Sequence, residues 1–236
     1  MNIKEPFEKF ASSYEEYSIV QSFGAKLLIK ELNKPFDSII DLGCGSGRIY
    51  KELIKQNIDF KEFYGIDFSK SMLELHPRDK RVKLIKGDFN LQDTFKDLNC
   101  DILISSSALQ WAKDLDFTMK MCSSVAKYGY FFIFTSNTFK TLHKTISINS
   151  PILSKNQILE AFNKNYKSFK IETINYNLEF KSTYDILKYI QKSGVSGGLN
   201  IGYKKIKYLL DNYPLNYIEF EALLLIGESI DKDKRV

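Results

Sequence analysis

Three aspartates and a glycine-rich loop are the residues of this sequence best suited to hold a small polar molecule. Asp41 precedes the loop in the stretch IIDLGCGSGRI, Asp67 ends the stretch EFYGID, and Asp88 ends the stretch VKLIKGD. Carboxylates accept hydrogen bonds from hydroxyl and amino groups. Glycines allow positive φ angles and let a ligand approach the backbone closely. This combination predicts a binding site for a ligand that carries several hydroxyl and amino groups.

Each carboxylate suits a different part of one ligand. Asp67 ends a strand, where an acidic residue accepts hydrogen bonds from both ribose hydroxyls. Asp88 and the following Phe89 suit an adenine amine and its ring, and Asp41 lies where an amino group would approach. A nucleoside with an attached amino acid would satisfy all three. Any one of these carboxylates alone could equally cap a helix, so it is their occurrence at successive strand ends that points to a ligand.

The loop contains Gly43, Gly45 and Gly47. Its third glycine does not fall at the GxGxxG spacing of dinucleotide-binding loops, and the sequence has no GxxxxGK[ST] motif, which excludes a phosphate-binding loop of that type. A nucleotide-sugar or NAD enzyme built on the same kind of sheet remains an alternative.

A second group of polar residues follows the apolar run DILI. There the chain reads SSSALQW over residues 105–111, which include its only tryptophan. A strand that merely fills a core turns with Gly, Asn or Asp. The serines and the large aromatic side chain instead indicate that a ligand lies beyond the end of this strand.

Short apolar strands must position these residues. The sequence predicts strands at 38–42, 62–67, 82–88, 101–105 and 130–136, with helices at 48–56, 69–75 and 115–127 between them. Because strands and helices alternate and the strands are apolar on both faces, we predict an α/β fold with a doubly wound, mostly parallel, Rossmann-like sheet and a helical cap or lid. Ligands of such sheets bind at the carboxyl ends of the strands.

The rest of the chain is predicted to cover this sheet. Helical periodicity extends over residues 7–32, and after residue 136 the pattern predicts a helix at 154–164, a strand at 169–180 and a helix at 182–194. We interpret the chain as a single domain. Its expected parts are an N-terminal capping helix (1–33), a cofactor-binding core (36–136), a partly helical lid and substrate region (137–213) and a last strand (214–228).

Composition narrows the class of protein. No stretch approaches the roughly 18 apolar residues of a membrane span, and the first residues lack the apolar segment of a signal peptide. The three cysteines, Cys44, Cys100 and Cys122, are scattered without a CxxC motif. We therefore expect a cytoplasmic protein with reduced thiols, and no pattern of metal ligands indicates a metal site.

Positive charge is concentrated in one segment. Residues 136–213 contain twelve lysines and five acidic residues, a net charge of +7. The sequence has no arginine cluster or nucleic-acid-binding motif, so we expect no nucleic-acid partner. Such a segment favours an acidic protein partner, although lysines on a solvated face would have the same composition.

The stretches DLGCGSG, GIDFS with the following ML, GDF and the strand at 101–106 together resemble the class I S-adenosylmethionine-dependent methyltransferases. The resemblance covers about residues 36–136. One departure occurs before the fifth strand, where that family usually turns with Pro-Gly-Gly and this chain has Lys127-Tyr128-Gly129-Tyr130. The resemblance implies that S-adenosylmethionine is the cofactor.

The same resemblance implies which residues hold that cofactor. Asp41 and the glycines would hold its methionine part, Asp67 its ribose, and Asp88 with Phe89 its adenine. Phe68 and Met72 would pack on the adenine, although both also suit the core. The implied cofactor-binding residues are Asp41, Gly43, Gly45, Gly47, Asp67, Phe68, Met72, Asp88, Phe89, Ser105 and Ser106.

Further stretches are similar to one branch of these enzymes, the malonyl-acyl-carrier-protein O-methyltransferases of biotin synthesis. They are FEKFASSYEEYSIVQ, SSSALQWAKDL, IQKSGVSG and YPLNY, and they span residues 7–217. Trans-aconitate methyltransferases look similar at the Gln-Trp pair, but the stretches near both ends of the chain favour the biotin enzymes. The resemblance implies methylation of the free carboxylate of a malonyl group on an acidic acyl carrier protein or on coenzyme A.

A carboxylate acceptor agrees with the scarcity of candidate bases. An alcohol or amine acceptor usually requires a general base, and His76 and His143 are the only histidines. His76 lies away from the strand ends in sequence, and we expect His143 on a helix surface. A carboxylic acid is already ionised at neutral pH, so alignment and dehydration would suffice for catalysis. A tyrosine or aspartate base remains an alternative.

We therefore assign the catalytic and substrate roles as hypotheses. Gln110 and Trp111 would form the floor on which the acyl group lies, and Tyr14 would close over the sulfonium or orient the acceptor carboxylate. Packing roles are the alternatives for Trp111 and Tyr14. Arg48 is one candidate to hold the carboxylate, with a surface position as its alternative. The lysines expected to receive the carrier protein are Lys140, Lys144, Lys188, Lys192, Lys204, Lys205 and Lys207.

Overall fold

A computed structural model describes residues 19–32, 36–192 and 202–230. Within these ranges the strands are β1 (Ser38–Leu42), β2 (Glu62–Asp67), β3 (Val82–Lys86), β4 (Cys100–Ser106), β5 (Ala126–Phe134), β6 (Tyr166–Glu179) and β7 (Tyr217–Ser229). The helices are α1 (Ile19–Lys30), α2 (Arg48–Lys55), α3 (Lys70–Leu75), α4 (Leu115–Val125), α5 (Lys140–Thr145), α6 (Lys155–Asn165), α7 (Thr183–Lys192) and α8 (Tyr203–Asn212). Short 3₁₀ turns occur at Gln92–Phe95 and Leu109–Trp111.

The seven strands form one sheet in the order β3-β2-β1-β4-β5-β7-β6. The first five strands are parallel, whereas β7 is antiparallel to both of its neighbours, β5 and β6. The predicted doubly wound, mostly parallel fold is thus confirmed. Its strand order reverses between β1 and β4, so a crevice forms at the carboxyl ends of these two strands.

Helices cover both faces of the sheet. On one face, side chains of α1, α2, α5, α7 and α8 share a buried apolar cluster with the sheet. On the other face, α4 and α6 form a second cluster. Strands buried on both sides read as continuous apolar runs, which explains why stretches such as SIIDL carry so few polar residues.

Local signals set the ends of several helices. The Ser69 hydroxyl accepts a hydrogen bond from Met72 N at the start of α3, and the Asp114 carboxylate accepts one from Phe117 N at the start of α4. Ser154 forms a capping box with Gln157, as its position before α6 predicts. Such caps are worth about 1 kcal/mol each.

The first residue of β5 differs from the prediction. We expected a helix to residue 127 and a strand from residue 130, but α4 ends at Val125 and β5 begins at Ala126. Gly129 therefore lies inside the strand rather than in a turn. A Cβ atom at this glycine would lie 2.4 Å from the Phe131 ring and 2.7 Å from the Tyr166 ring. Close packing of these aromatic side chains explains why glycine occupies this position.

Three of the helices after β5 lie together over one side of the sheet. Helix α8 contacts both α5 and α7, and their buried side chains include Leu142, Ile186 and Leu209. The glycine-rich sequence at 195–202, which reads as a connection between helices, falls almost entirely outside the described residues. In the described ranges, none of the helices has the length and apolar character that crossing a membrane requires.

Candidate functional site

A pocket opens at the carboxyl ends of the parallel strands, at the point where the strand order reverses. Residues from α1, the glycine loop, the end of β2 and the end of β4 contribute to it. The lining residues are Gln21, Asp41, Leu42, Gly43, Cys44, Gly45, Ser46, Arg48, Ile49, Ile66, Asp67, Phe68, Met72, Gly87, Phe89, Ser106, Ser107, Ala108 and Trp111.

The glycine loop depends on left-handed backbone angles. Gly43, Gly45 and Gly47 have φ values of 78°, 53° and 84°, where side chains other than glycine are strained. Gly43 N and Cys44 N both donate to Ile66 O, at 2.8 and 3.0 Å. The loop is thereby held against the end of β2. A Cβ atom at Gly45 would meet no atom within 4 Å, so this part of the loop faces open space in the pocket.

Gly47 does not line the pocket. A Cβ atom there would lie 2.7 Å from both the His76 ring and the Pro77 ring. The predicted contact of Gly47 with a cofactor is therefore corrected to a structural role. His76, predicted to lie away from the strand ends, packs beneath this loop and is 2% exposed.

Asp67 connects the loop to the end of β2. Its Oδ2 accepts a hydrogen bond from Gly45 N at 2.9 Å, and its Oδ1 accepts one from Ser69 N at 2.8 Å. Burial raises the pKa of the Asp67 carboxyl, and the backbone donors at Ser69 and Gly45 oppose that rise. The free lone pairs of this carboxylate remain able to accept further hydrogen bonds from ligand hydroxyls.

Asp41 is the second buried carboxylate of the pocket. It is 1% exposed, and its Oδ2 has no hydrogen-bond partner among the described residues. Burial and the nearby Asp67 raise the pKa of the Asp41 carboxyl well above its ordinary value. Burial also raises the pKa of the Cys44 thiol in the same loop. Two buried carboxylates at one site favour a ligand that brings positive charge and hydrogen-bond donors.

Apolar side chains form the side of the pocket next to β2 and β3. Phe68, Met72 and Phe89 all line it, and Met72 and Phe89 are 2% and 8% exposed. Asp88 does not line it. Its Oδ1 accepts hydrogen bonds from Asn90 N and Asn90 Nδ2, at 3.0 and 2.7 Å, so this carboxylate shapes the turn after β3.

The three serines at the end of β4, Ser105, Ser106 and Ser107, occupy different environments. Ser105 is completely buried and donates a 2.7 Å hydrogen bond to Leu42 O, which ties β4 to β1. It therefore lies outside the pocket lining. Ser106 and Ser107 do line the pocket, and the hydroxyl of each is buried without a hydrogen-bond partner among the described residues.

Gln110 and Trp111 also differ in their position relative to the pocket. The indole of Trp111 lines the pocket, whereas Gln110 is 5% exposed and lies outside the lining. Gln110 Nε2 donates a 2.7 Å hydrogen bond to Ser107 O, and its Oε1 has no partner among the described residues. Gln110 therefore reaches the pocket only through Ser107. Tyr14 lies outside the described residues.

The structure thus brings most of the predicted site residues together. Those that line the pocket are Asp41, Gly43, Gly45, Asp67, Phe68, Met72, Phe89, Ser106 and Trp111, while Gly47, Asp88, Ser105 and Gln110 do not. Arg48, for which a surface position was the alternative, is half-buried in the lining. The polar lining residues without a predicted contact role include Gln21, Ser46 and Ser107. The spacing of the three serines alone could not show which hydroxyl faces the pocket.

Neither histidine belongs to the pocket lining. The prediction that His143 lies on a helix surface is wrong, because this residue of α5 is buried and only 7% exposed. Burial lowers the pKa of both His76 and His143. Among the described residues, no group of three or more His, Cys, Asp or Glu side chains is placed to hold a metal ion.

The pocket fits a nucleoside that carries an amino acid. The orphaned Asp41 oxygen, the open space beside Gly45 and the lone pairs of Asp67 all require a partner that the described residues do not supply. An ammonium group and ribose hydroxyls would satisfy them, and the apolar side chains beside β3 suit an aromatic base.

Comparisons with known proteins agree with this geometry. A family model described as a methyltransferase domain matches residues 33–194. The malonyl-[acyl-carrier protein] O-methyltransferase of Calditerrivibrio nitroreducens is 25% identical over 229 residues, which cover 93% of this chain and 89% of that protein. The protein of the same name from Bacillus cytotoxicus is 26% identical over 218 residues, covering 82% and 75%. The YcgJ protein of Bacillus subtilis has a similar fold, with a TM-score of 0.62 at 15% identity, covering 87% of this chain and 97% of that one.

Proposed function

The chain belongs to the methyltransferase domain family, and we propose that it methylates the free carboxylate of malonyl-acyl-carrier protein in biotin synthesis. The single observation that carries the proposal is the pocket in which Asp41, Asp67 and the glycine loop meet the end of β4. The names of the relatives from C. nitroreducens and B. cytotoxicus support malonyl-acyl-carrier protein as the substrate.

S-adenosylmethionine is the cofactor. Asp67 would accept hydrogen bonds from its ribose hydroxyls, Asp41 would accept one from its ammonium group, and Phe68, Met72 and Phe89 would enclose its adenine. When bound, it would supply a methyl carbon on a positively charged sulfur, and that sulfur would keep the electron pair of the carbon–sulfur bond when the methyl group is transferred. The buried carboxylates of Asp41 and Asp67 also favour the positive charges of this cofactor over a neutral analogue.

A carboxylate acceptor needs no proton removal in this pocket. Carboxylic acids titrate near pH 4, so the acceptor arrives ionised at neutral pH. The two histidines are buried elsewhere, and burial lowers the pKa of each, which keeps them neutral. Catalysis then depends on holding the acceptor oxygen in line with the methyl carbon and on excluding water.

A basic surface formed by three of the helices after β5 supports an acidic carrier protein as partner. It consists of exposed lysines on α5, α7 and α8, which lie together on one side of the sheet. None of these lysines forms an ion pair with a described residue, unlike Lys164 and Lys170, which pair with acidic side chains. The members of this basic surface are Lys140, Lys144, Lys188, Lys204, Lys205 and Lys207. The half-buried Lys192 lies at the end of α7 beside them.

A small-acid methyltransferase of the trans-aconitate type is the second candidate. The half-buried Arg48 in the pocket lining favours any small carboxylate acceptor, and the Gln-Trp pair is shared with those enzymes. A protein that binds S-adenosylmethionine without transferring its methyl group is a third possibility. The lysines of the basic surface, which pair with no acidic side chain among the described residues, favour the carrier-bound substrate over both.

An assay with matched acyl groups tests the proposal. Purified protein is incubated with methyl-deuterated S-adenosylmethionine and either malonyl- or acetyl-acyl-carrier protein, with trans-aconitate as competitor. Mass spectrometry should detect a base-labile deuterated methyl ester on the malonyl carrier only. Preferential methylation of trans-aconitate would favour the second candidate, and cofactor binding without transfer to any acid would favour the third.

A further inference from the structure

Ser107 has an unusual backbone and an unsatisfied hydroxyl at the edge of the pocket. Its φ is +59°, a left-handed value that costs a residue other than glycine about 1–2 kcal/mol. Its Oγ is buried without a hydrogen-bond partner among the described residues. Backbone strain, together with a buried hydroxyl that has no hydrogen-bond partner among the described residues, points to a functional role for this residue of the pocket.

Three contacts hold Ser107 in this conformation. Its N–H donates a 2.8 Å hydrogen bond to Phe132 O on β5. Its carbonyl accepts the 2.7 Å hydrogen bond from Gln110 Nε2. The next residue, Ala108, lies against the glycine loop so closely that a Cβ atom at Gly43 would be 2.4 Å from its methyl group. The backbone at Ser107 is therefore fixed from three sides.

The sheet order places Ser107 where the acceptor should bind. Asp41 and Asp67 lie at the ends of β1 and β2, and Phe89 lies after β3, so the adenosine and methionine parts of the cofactor would occupy the pocket from β3 to β1. Ser107 follows β4, on the other side of β1. The part of the pocket beside it remains for the group that receives the methyl.

We propose that the Ser107 hydroxyl contacts the acceptor carboxylate and that Gln110 is a positioning residue, acting through the Ser107 carbonyl. This inference rests on the proposed function. A hydroxyl that donates to one carboxylate oxygen fixes the direction of the other oxygen, which attacks the methyl carbon. Within the described part of the chain this hydroxyl has no hydrogen bond to lose, so turning it toward a ligand breaks none there.

Two substitutions at one position separate the hydroxyl from the backbone. Ser107→Ala removes the hydroxyl and keeps the strain, whereas Ser107→Gly removes the hydroxyl and relieves the strain, because glycine tolerates positive φ. Both variants should raise the KM for malonyl-acyl-carrier protein about ten- to hundredfold, the effect of losing a hydrogen bond to a charged group. If Ser107→Gly has the kinetic constants of the wild type, the hydroxyl is not needed for substrate binding, and the proposal is overturned.

Gln110 is tested by its coupling to Ser107. Gln110→Met removes the donor to the Ser107 carbonyl and should raise KM in the wild-type background. In the Ser107→Gly background the same substitution should have little further effect, because the hydroxyl that Gln110 positions is absent. Equal effects in both backgrounds would overturn the positioning role.

A binding measurement keeps this test separate from the proposed function. Trp111 is the only tryptophan and lines the same pocket, so its fluorescence reports binding without turnover. Protein loaded with S-adenosylhomocysteine is titrated with malonyl-pantetheine and with acetyl-pantetheine, which lacks the carboxylate. Wild-type protein should prefer malonyl-pantetheine, and both Ser107 variants should lose that preference while keeping their affinity for S-adenosylhomocysteine.

The outcomes are distinguishable. A malonyl preference that depends on Ser107, in a protein that transfers no methyl group to the malonyl carrier, would refute the proposed function and keep the carboxylate contact. No preference in the wild-type protein, or an equal loss of S-adenosylhomocysteine affinity in the Ser107 variants, would refute the carboxylate contact whatever the activity.

Discussion

The backbone N–H of Gly45 donates a 2.9 Å hydrogen bond to Oδ2 of Asp67, across 22 residues of sequence. This bond joins the glycine loop after β1 to the end of β2 and places two predicted cofactor contacts side by side. Asp67 thus orders the loop and also presents lone pairs to the pocket. A change at this residue should affect both the loop and the ligand.

Asp67→Asn should weaken cofactor binding. The amide nitrogen of asparagine cannot accept a hydrogen bond, so one of the bonds to Gly45 N and Ser69 N is lost together with the carboxylate charge. We expect the Kd for S-adenosylhomocysteine to rise about tenfold or more, measured by calorimetry. Asp93→Asn, at an exposed position, is the control, and an unchanged Kd in Asp67→Asn would contradict the assignment.

Asp41→Asn should stabilise the ligand-free protein while weakening ligand binding. Burial and Asp67 raise the pKa of Asp41, so its ionisation destabilises the folded state. That cost is absent below the ordinary carboxyl pKa of about 3.9 and grows as the pH rises above it. Urea unfolding should therefore show a larger gain for the variant at pH 8 than at pH 5.

Ligand affinity provides a second measurement on Asp41→Asn. Its Kd for S-adenosylhomocysteine should rise about tenfold or more, because a charge-assisted hydrogen bond to the ammonium group is lost. A variant that is less stable than wild type at pH 8, or that binds the ligand equally well, would argue against a ligand-facing carboxylate at this position.

Ser105→Ala should affect stability rather than binding. The hydroxyl lies in the core and donates a hydrogen bond to Leu42 O. Removing this hydrogen bond from a buried carbonyl should lower the free energy of unfolding by about 1–3 kcal/mol. Denaturant unfolding measures this loss, and the exposed Ser168→Ala is the control. A full loss of cofactor affinity with unchanged stability would restore the predicted contact of Ser105 with the cofactor.

Gly45→Ala and Gly47→Ala should have different effects although both glycines have positive φ. At Gly45 there is room for a methyl group, so we expect about 1–2 kcal/mol of strain and weaker binding because the methyl group enters the pocket. At Gly47 the methyl group would overlap the rings of His76 and Pro77. We expect destabilisation of roughly 2–5 kcal/mol there; comparison of Tm and Kd for the two variants checks the contrast.

Charge reversal on the basic surface tests the carrier protein as partner. Lys140→Glu, Lys144→Glu, Lys204→Glu and Lys205→Glu together should raise the KM for malonyl-acyl-carrier protein about tenfold at low salt. The increase should shrink at high salt, where surface charges are screened. The effect on malonyl-CoA should be small. Lys120→Glu, on α4 at the opposite face of the sheet, is the control, and equal losses with both substrates would refute the docking surface.

Several features were predictable because they depend on neighbours in sequence. The apolar runs ending at Leu42 and Asp67 predict their strands, and Ser154 predicts the start of α6 through a local capping box. These signals act over a few residues, so no knowledge of the fold is needed to read them.

Other features depend on contacts between distant segments. Gln21 belongs to α1 and yet lines the pocket. Gly47 was predicted to face a ligand, but it faces His76 and Pro77. The KYGY stretch, which contains a glycine like a turn, continues as a strand because Gly129 packs against the Tyr166 ring. Such packing partners are far apart in sequence, so no local pattern identifies them.

The sequence by itself determined the parallel sheet, the glycine loop and the acidic residues at strand ends, because hydrophobic periodicity and turn chemistry act locally. Only the tertiary structure decided that, of the three serines at the end of β4, Ser106 and Ser107 line the pocket and Ser105 does not. Successive residues at the end of a strand point in different directions, and the left-handed backbone of Ser107 turns the chain again. Ser105 therefore ties two strands together, while Ser107, held by Gln110, lies beside the pocket.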